Sequence, residues 1–412
     1  MDALRVIADD LTGACDVGAE LLPWPGGVVV QPLFSGAAPV GPGAEALCVR
    51  NTQSRTLPVA EAAQRVTAAL ADVGAGWSGI VLKKIDTGLR GALGAEIDAA
   101  MDALDACEAF VLAAIPEVGR TTEGGRQMIA GVPVDQTAFA RDPQNPIAES
   151  HVPSAIEATA RRWAAGIGLA AVRDPGGLLP AVDAARAAGA SVLVCDAETD
   201  ADIERTVRGL LGRARPLLLV GSTALARALR RVLGTEQAAR LRPGGPSSAP
   251  TAGVLAVMGS AHPTAHAQVE RAAARGLLTP IVVGDGGASP QDAAVAAGRC
   301  VEAGRAAALV PPAAPVAGGS AQVLAALRSA ALAALARARP AGLALIGGET
   351  AFQVLDGLGH PPLALEARLS PLVVRSRLTA GPYGGLPLVT KGGSAGAHDL
   401  LGAIVRQLGG GR

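Results

Sequence analysis

Short, almost uninterrupted apolar runs recur along this chain, each followed by a longer amphipathic stretch. "LRVIAD" (4–9), "GIVLKKI" (79–85), "AFVLAAI" (109–115), "SVLVCDA" (191–197) and "PLLLVGS" (216–222) occupy the first half. "GVLAVMGS" (253–260), "TPIVVGD" (279–285), "AAALVPP" (306–312), "GLALIGGE" (342–349) and "LPLVTKGG" (386–393) occupy the second. A strand that faces water on one side alternates apolar with polar. A run that is apolar at every position is covered on both faces, as in a parallel sheet between helical layers. The Ala-, Arg- and Glu-bearing segments between the runs read as crossover helices.

The alternation breaks once, at "RPGGPSSAP" (242–250), which has Pro, Gly and Ser and almost no apolar content. A linker there divides the 412 residues into domains 1–241 and 251–412, in keeping with the usual size limit of one core. Half of the residues are hydrophobic but only 2% are aromatic, so small side chains fill the interior and helices can lie close on sheets. The expected fold class is α/β. Two domains are expected, each a mainly parallel sheet flanked by helices, with an interdomain cleft. The alanine-rich stretch 313–341 is explained by helix propensity.

Charge and cysteine narrow the function classes. Lys and Arg balance Asp and Glu at 36 each, which argues against a broad nucleic-acid-binding surface. Cys15, Cys48, Cys107, Cys195 and Cys300 are odd in number and form no CxxC pair, as expected of reduced thiols in a cytoplasmic protein. "MDALRVIADD" lacks the basic start and apolar core of a signal peptide, and no apolar run reaches the length of a membrane span. A soluble, cytoplasmic protein without a nucleic-acid or membrane partner is expected. A homodimer is compatible with the sequence, which does not fix the oligomeric state.

In open parallel sheets ligands bind beyond the carboxyl ends of the strands, so chemistry is sought after each run. In the second domain three such ends are glycine-rich and enter helices. They carry Ser260 after Gly259; Gly347, Gly348, Glu349 and Thr350; and Lys391, Gly393 and Gly396. Glycine lets the backbone approach a phosphate, and the first helical N–H groups favour its charge. One such turn is commonly only a capped helix start. Three at one sheet edge point to a nucleotide. In the first domain, Asp9 and Asp10 follow the first run, and Lys83, Lys84, Asp86 and Arg90 crowd the end of another. Arg120, Thr121 and Thr122 follow a third, and Arg50, Asn51, Thr52 and Arg55 a fourth. Together these suit a small acidic, hydroxylated molecule: Arg for a carboxylate, Asp for a hydroxyl or its proton. One of Asp9 and Asp10 is expected to cap the following helix. His262 and His266 have helical i, i+4 spacing but no HExxH pattern, so a surface or pocket-wall role is favoured.

With "IADDLTGACD", "KKIDTGLRG", "GRTTEGG", "FARDPQNPIAESHV", "MGSAHPTAHAQ", "IGGETA" and "KGGSAG" in this order, the chain resembles the four-carbon acid sugar kinase family nearly end to end. The resemblance implies an N-terminal sugar-acid domain and a C-terminal nucleotide domain. It implies phosphorylation of threonate, erythronate or their 3-oxo forms by ATP. Carried onto this sequence, it implies nucleotide contacts at Ser260, Gly347, Gly348, Glu349, Thr350, Gly393 and Gly396, with Lys391 beside them. The first-domain clusters would hold the acid through Asp9, Arg50, Lys84, Arg90, Arg120 and Thr121. Asp86 and Asp10 are the candidate bases, and Mg²⁺ is expected with ATP, its ligands unassigned. A kinase of another small hydroxy acid and a non-catalytic two-lobed binding protein are the alternatives. Two departures stand out. Thr87-Gly88 replaces the family's usual Ser-Thr, which should open space near the substrate. Ser394-Ala395 replaces a frequent Asn-Phe pair.

Overall fold

The computed structural model describes residues 4–33, 46–73, 76–142, 145–234, 252–312 and 319–409, so the expected linker at 242–250 lies outside them. The chain divides into two compact units. Among the described residues the first comprises 4–25, 33 and 47–234, and the second comprises 26–32, 46 and 252–409. The contiguous first domain expected from sequence is therefore interrupted, because residues 26–32 are packed into the second unit.

The strands of the first unit's main sheet are β1 (Leu4–Ala8), β3 (Leu47–Asn51), β4 (Ile80–Lys84), β5 (Ala109–Leu112), β9 (Ala164–Ile167), β10 (Val192–Cys195) and β11 (Leu217–Gly221). The second unit takes β2 (Val28–Gln31) from the N-terminal region. A separate small antiparallel sheet in the first unit holds β6 (Arg120–Glu123), β7 (Arg126–Ile129) and β8 (Val132–Pro133). The first unit's main sheet runs β3-β1-β4-β11-β5-β10-β9 and is parallel throughout. Strand β4 is buried at every position, which is why its sequence lacks alternation. The register pairs Ala8 with Asn51 and Lys84, Lys84 with Gly221, and Gly221 with Leu112. The carboxyl ends of five neighbouring strands are thus level, and the turns beyond them share one edge of the sheet.

The second unit continues with β12 (Val254–Met258), β13 (Thr279–Val282), β14 (Ala307–Val310), β15 (Gly342–Ile346), β16 (Leu363–Ser370), β17 (Val373–Leu378) and β18 (Pro387–Lys391). The order is β13-β14-β12-β15-β18-β17-β16-β2, parallel from β13 to β18 and antiparallel from there to β2. Met258 pairs with Ile346 and Ile346 with Lys391, so these three strand ends are level as well. The α/β fold class is as expected. The antiparallel extension is not read from the apolar runs, because β16 and β17 alternate as "LALEARLS" and "VVRSRL". The alanine-rich segment forms the helix Gly319–Arg337, long and apolar enough by composition to cross a membrane. It packs on the helices Pro290–Glu302 and Gly348–Gly357, with Leu327, Ala330, Ala331, Ala334 and Leu335 buried.

Candidate active site

At the level strand ends of the first unit the charged side chains form one network. Asp10 caps the helix Leu11–Glu20, its Oδ1 accepting the Gly13 N–H at 2.9 Å, so the expected cap falls to Asp10. Arg55 bridges both aspartates. Its Nε and Nη2 donate to the two oxygens of Asp9 at 2.9 Å each, and Nη2 also donates to Asp10 at 2.6 Å. Backbone explains its reach. The N–H groups of Thr52, Ser54 and Arg55 donate to the carbonyls of Ala8 and Asp9, folding this turn onto the end of β1. Burial alone would raise the Asp9 pKa, but the Arg55 charge, aided by Lys84 and Lys83, holds it below the usual carboxylate value.

Asp86, just past β4, is only 6% exposed. Arg90 grips it through both oxygens, Nε at 2.7 Å and Nη2 at 3.2 Å, while Arg90 Nη1 donates to Asp142 at 2.9 Å. Burial works to raise the Asp86 pKa. Arg55, Arg90 and Arg120 outweigh it and leave the carboxyl far below its ordinary range. Lys84, which alternation places on the Asp86 side of the strand, instead donates to the Ile85 carbonyl at 2.7 Å, and Lys83 pairs with buried Glu96.

Arg120 differs from its neighbours. It donates to the Thr87 hydroxyl and forms no ion pair among the described residues. Burial and the like charges of Arg90 and Arg55 make its position costly, and its pKa is lowered accordingly. A partly buried guanidinium near Asp86 without a carboxylate of its own is suited to a ligand anion. Thr121 donates to Glu123 at 2.6 Å. Arg50 belongs to a different network: it holds Asp72 at 2.5 and 2.7 Å and donates to the Ala69 carbonyl at 2.6 Å. The structure thus brings Asp9, Asp10, Asp86, Arg90 and Arg120 together with Arg55, and leaves Arg50 aside.

In the second unit the site is made of backbone. Gly347 caps the helix Gly348–Gly357 at φ +106, open to glycine but strained for other residues, and no side chain caps that helix. A Cβ on Gly393 would lie 2.0 Å from Ser260 Oγ, and one on Gly259 2.4 Å from Thr350 Oγ1. These distances bring the loops after β12, β15 and β18 into one cradle. Lys391 ends β18 only 1% exposed and donates to the carbonyls of Gly392 and Gly393 at 2.9 and 3.4 Å. It has no acidic partner among the described residues, and burial lowers its pKa to about 8. An unneutralised lysine, a bare helix start and a cradle that Cβ atoms would fill all fit a polyphosphate. Glu349 accepts from Gln353 at 2.9 Å. His262 caps its own helix, its Nδ1 accepting from Thr264. No group of three or more His, Cys, Asp or Glu side chains suited to a metal occurs among the described residues.

The loop carrying Gly396 is held by a residue with no role assigned from sequence. Buried Gln268 donates to the carbonyls of Ala395, Gly396 and Ala397 at 3.0, 3.2 and 2.8 Å.

Two family models match: a sugar-binding N-terminal domain over residues 4–229 and a nucleotide-binding C-terminal domain over 255–401. A D-threonate kinase of Bordetella bronchiseptica is 35% identical, covering 97% of this chain and 95% of its own. The chain belongs to the four-carbon acid sugar kinase family. A D-threonate kinase of Salmonella typhimurium is 30% identical over 96% of both chains. A 3-oxo-tetronate kinase of Escherichia coli is 31% identical over 60% of this chain and 63% of its own. A solved Salmonella typhimurium structure shares the fold with a TM-score of 0.79, at 23% identity and 99% coverage of each chain. Within the family pattern, the space expected at Gly88 is filled. The Phe139 ring comes within 2.3 Å of where a Gly88 Cβ would stand. Ala395, in place of the family's aromatic, is buried in the second unit's core.

Proposed function

We propose that this chain, a kinase of four-carbon sugar acids, takes its phosphoryl group from Mg²⁺-bound ATP and works in the cytoplasm on a threonate- or erythronate-type acid. The observation that carries the acid-site assignment is Arg120, a partly buried guanidinium near ionised Asp86 with no ion pair of its own among the described residues. In this reading Arg120 receives the substrate carboxylate, and Asp9, Asp10 and Thr121 face its hydroxyls. Lys84 adds positive potential. Arg90 orients Asp86 and keeps it ionised rather than binding substrate directly, and Asp86 accepts the proton of the attacking hydroxyl. A carboxylate of low pKa suffices if the transition state is loose and the proton leaves late. Ser260, Gly347, Gly348 and Thr350 cradle the ATP phosphates with Gly393 and Gly396, and Lys391 offsets their charge. Mg²⁺ bound with the nucleotide would supply further neutralisation of phosphate charge, and Glu349 is the acidic side chain of this cradle that would help hold it.

ATP consumption by purified protein across threonate, erythronate and 3-oxo-tetronates tests the activity. Arg120→Ala tests the site. It should raise KM for the acid by roughly 10- to 100-fold, the scale for losing a charge-assisted contact, with KM for ATP within about twofold. An unchanged acid KM would remove Arg120 from the substrate site.

A further inference from the structure

Phe139 takes no part in that chemistry, yet its ring lies against the two arginines that matter most to it. The Arg90 guanidinium carbon is 5.1 Å from the ring centroid and that of Arg120 is 5.5 Å. Two like charges that repel each other are thus set against one aromatic ring, whose π-electrons attract cations. The ring is also pressed against the turn that carries the base. A Cβ on Gly88 would stand 2.3 and 2.5 Å from Phe139 Cε1 and Cδ1, and 2.9 Å from Asp86 Oδ2. Gly88 is not among the residues with positive φ. Its backbone therefore accepts any residue, and the glycine serves closeness to the ring rather than chain geometry.

The segment bearing the ring is itself fixed. Phe139 sits in the short 3₁₀ turn Ala138–Arg141, its N–H donating to Thr137 Oγ1 and its carbonyl accepting from Asp142 and Ile147 at 3.2 and 3.1 Å. Asp142, at the end of that turn, accepts from Arg90 Nη1. One short segment thus holds Arg90 by charge and by ring contact, and touches Arg120 through the same ring.

We propose that Phe139 is a positioning and specificity-determining residue of the acid site. It sets the directions of Arg90 and Arg120 and fills the space beside Asp86 that a longer acid would occupy. This rests on the kinase reading, but acid binding can be followed without turnover, so the two can fail separately. In the full-length chain, Phe139→Leu keeps bulk and removes the π face, whereas Phe139→Ala opens the space. Phe139→Leu should raise both KM and the calorimetric Kd for a four-carbon acid about tenfold, with KM for ATP unchanged. Phe139→Ala should in addition raise the five-carbon to four-carbon ratio of kcat/KM by about tenfold. Gly88→Ala should impair acid binding more than Phe139→Leu does, and adding Phe139→Ala to it should recover part of the loss by removing the clash. Should Gly88→Ala fail to fold, the two Phe139 variants still decide. Wild-type acid affinity and length selectivity in both would overturn the proposal, as would equal damage to the ATP and acid constants. If no four-carbon acid is turned over by the wild-type protein, the kinase reading falls, and the calorimetric Kd comparison still tests Phe139.

Discussion

The two proposed ligand regions of this molecule are built from opposite materials. The acid region is a lattice of long charged side chains: Arg55 across Asp9 and Asp10, Arg90 on Asp86, and Arg120 left over. The nucleotide region is made of backbone and of side chains that are missing, at Gly259, Gly347 and Gly393, with a single lysine added. A site made of side chains is damaged by truncation. A site made of glycines is damaged by addition. Each region should therefore tolerate the kind of change that ruins the other.

The strongest break in that contrast is at Asp86. Asp86→Asn keeps shape and removes charge, and should lower kcat by about 10² to 10⁴-fold while ATP affinity holds, as for a lost general base. A near-wild-type kcat at saturating substrates would transfer the base to Asp10. Next comes addition in the second unit. Gly393→Ala sets a methyl 2.0 Å from Ser260 Oγ and 2.9 Å from its Cβ, so rotating the hydroxyl does not relieve the clash. It should cost on the order of 10²-fold in kcat/KM for ATP, the scale of an ångström-sized misplacement, and leave acid affinity intact. Undiminished use of ATP would show that the loop carries no phosphate.

The smallest effect separates the regions by pH. Burial brings the Lys391 pKa down to about 8 in the free protein. Phosphate beside it would raise that pKa, so the complex binds more protons than the free protein above pH 8. ATP affinity should then fall as pH rises from about 8 to 9.5, by up to tenfold per unit. Well below pH 8 the lysine is charged in both states and adds no slope. Lys391→Gln should bind ATP more weakly, with that slope gone. Asp86 lies so far below its usual range that the acid region should show no matching change from its ionisation over the same pH span.

Legibility in the sequence divides along the same line. Strands buried on both faces declare themselves, because every position is apolar, as in Leu217–Gly221. The half-buried pair Leu363–Ser370 and Val373–Leu378 does not, because Arg375 and Arg377 pair with Glu366 on the sheet itself. Glycine loops at strand ends were readable, since the backbone conformation belongs to the residue that carries it. Arginine roles were less so. Arg50 and Arg55 lie in one short segment, and only the turn after β3, with Gln53 at φ +47, decides that Arg55 reaches the aspartates. Gly88 read as vacancy. Its occupant, Phe139, is distant in sequence, and no local pattern joins the two.

Strand β2, paired antiparallel with β16 at Val30–Leu363 and Val29–Ala364, carries a consequence for how this chain is made. On the ribosome it emerges well before its partner, which lies roughly 330 residues later in the chain. The first unit can begin to fold around its own strands during that interval, since domains form as units as they appear. The second must wait for β16 to be translated before β2 can dock, a contact of very long sequence separation and so a slow one. A fragment cut between the units would leave β16 with unpaired backbone groups where β2 belongs, and such a fragment should favour association with other copies. Joining residues 26–32 to its start through a flexible linker should restore the missing pairing and suppress that association.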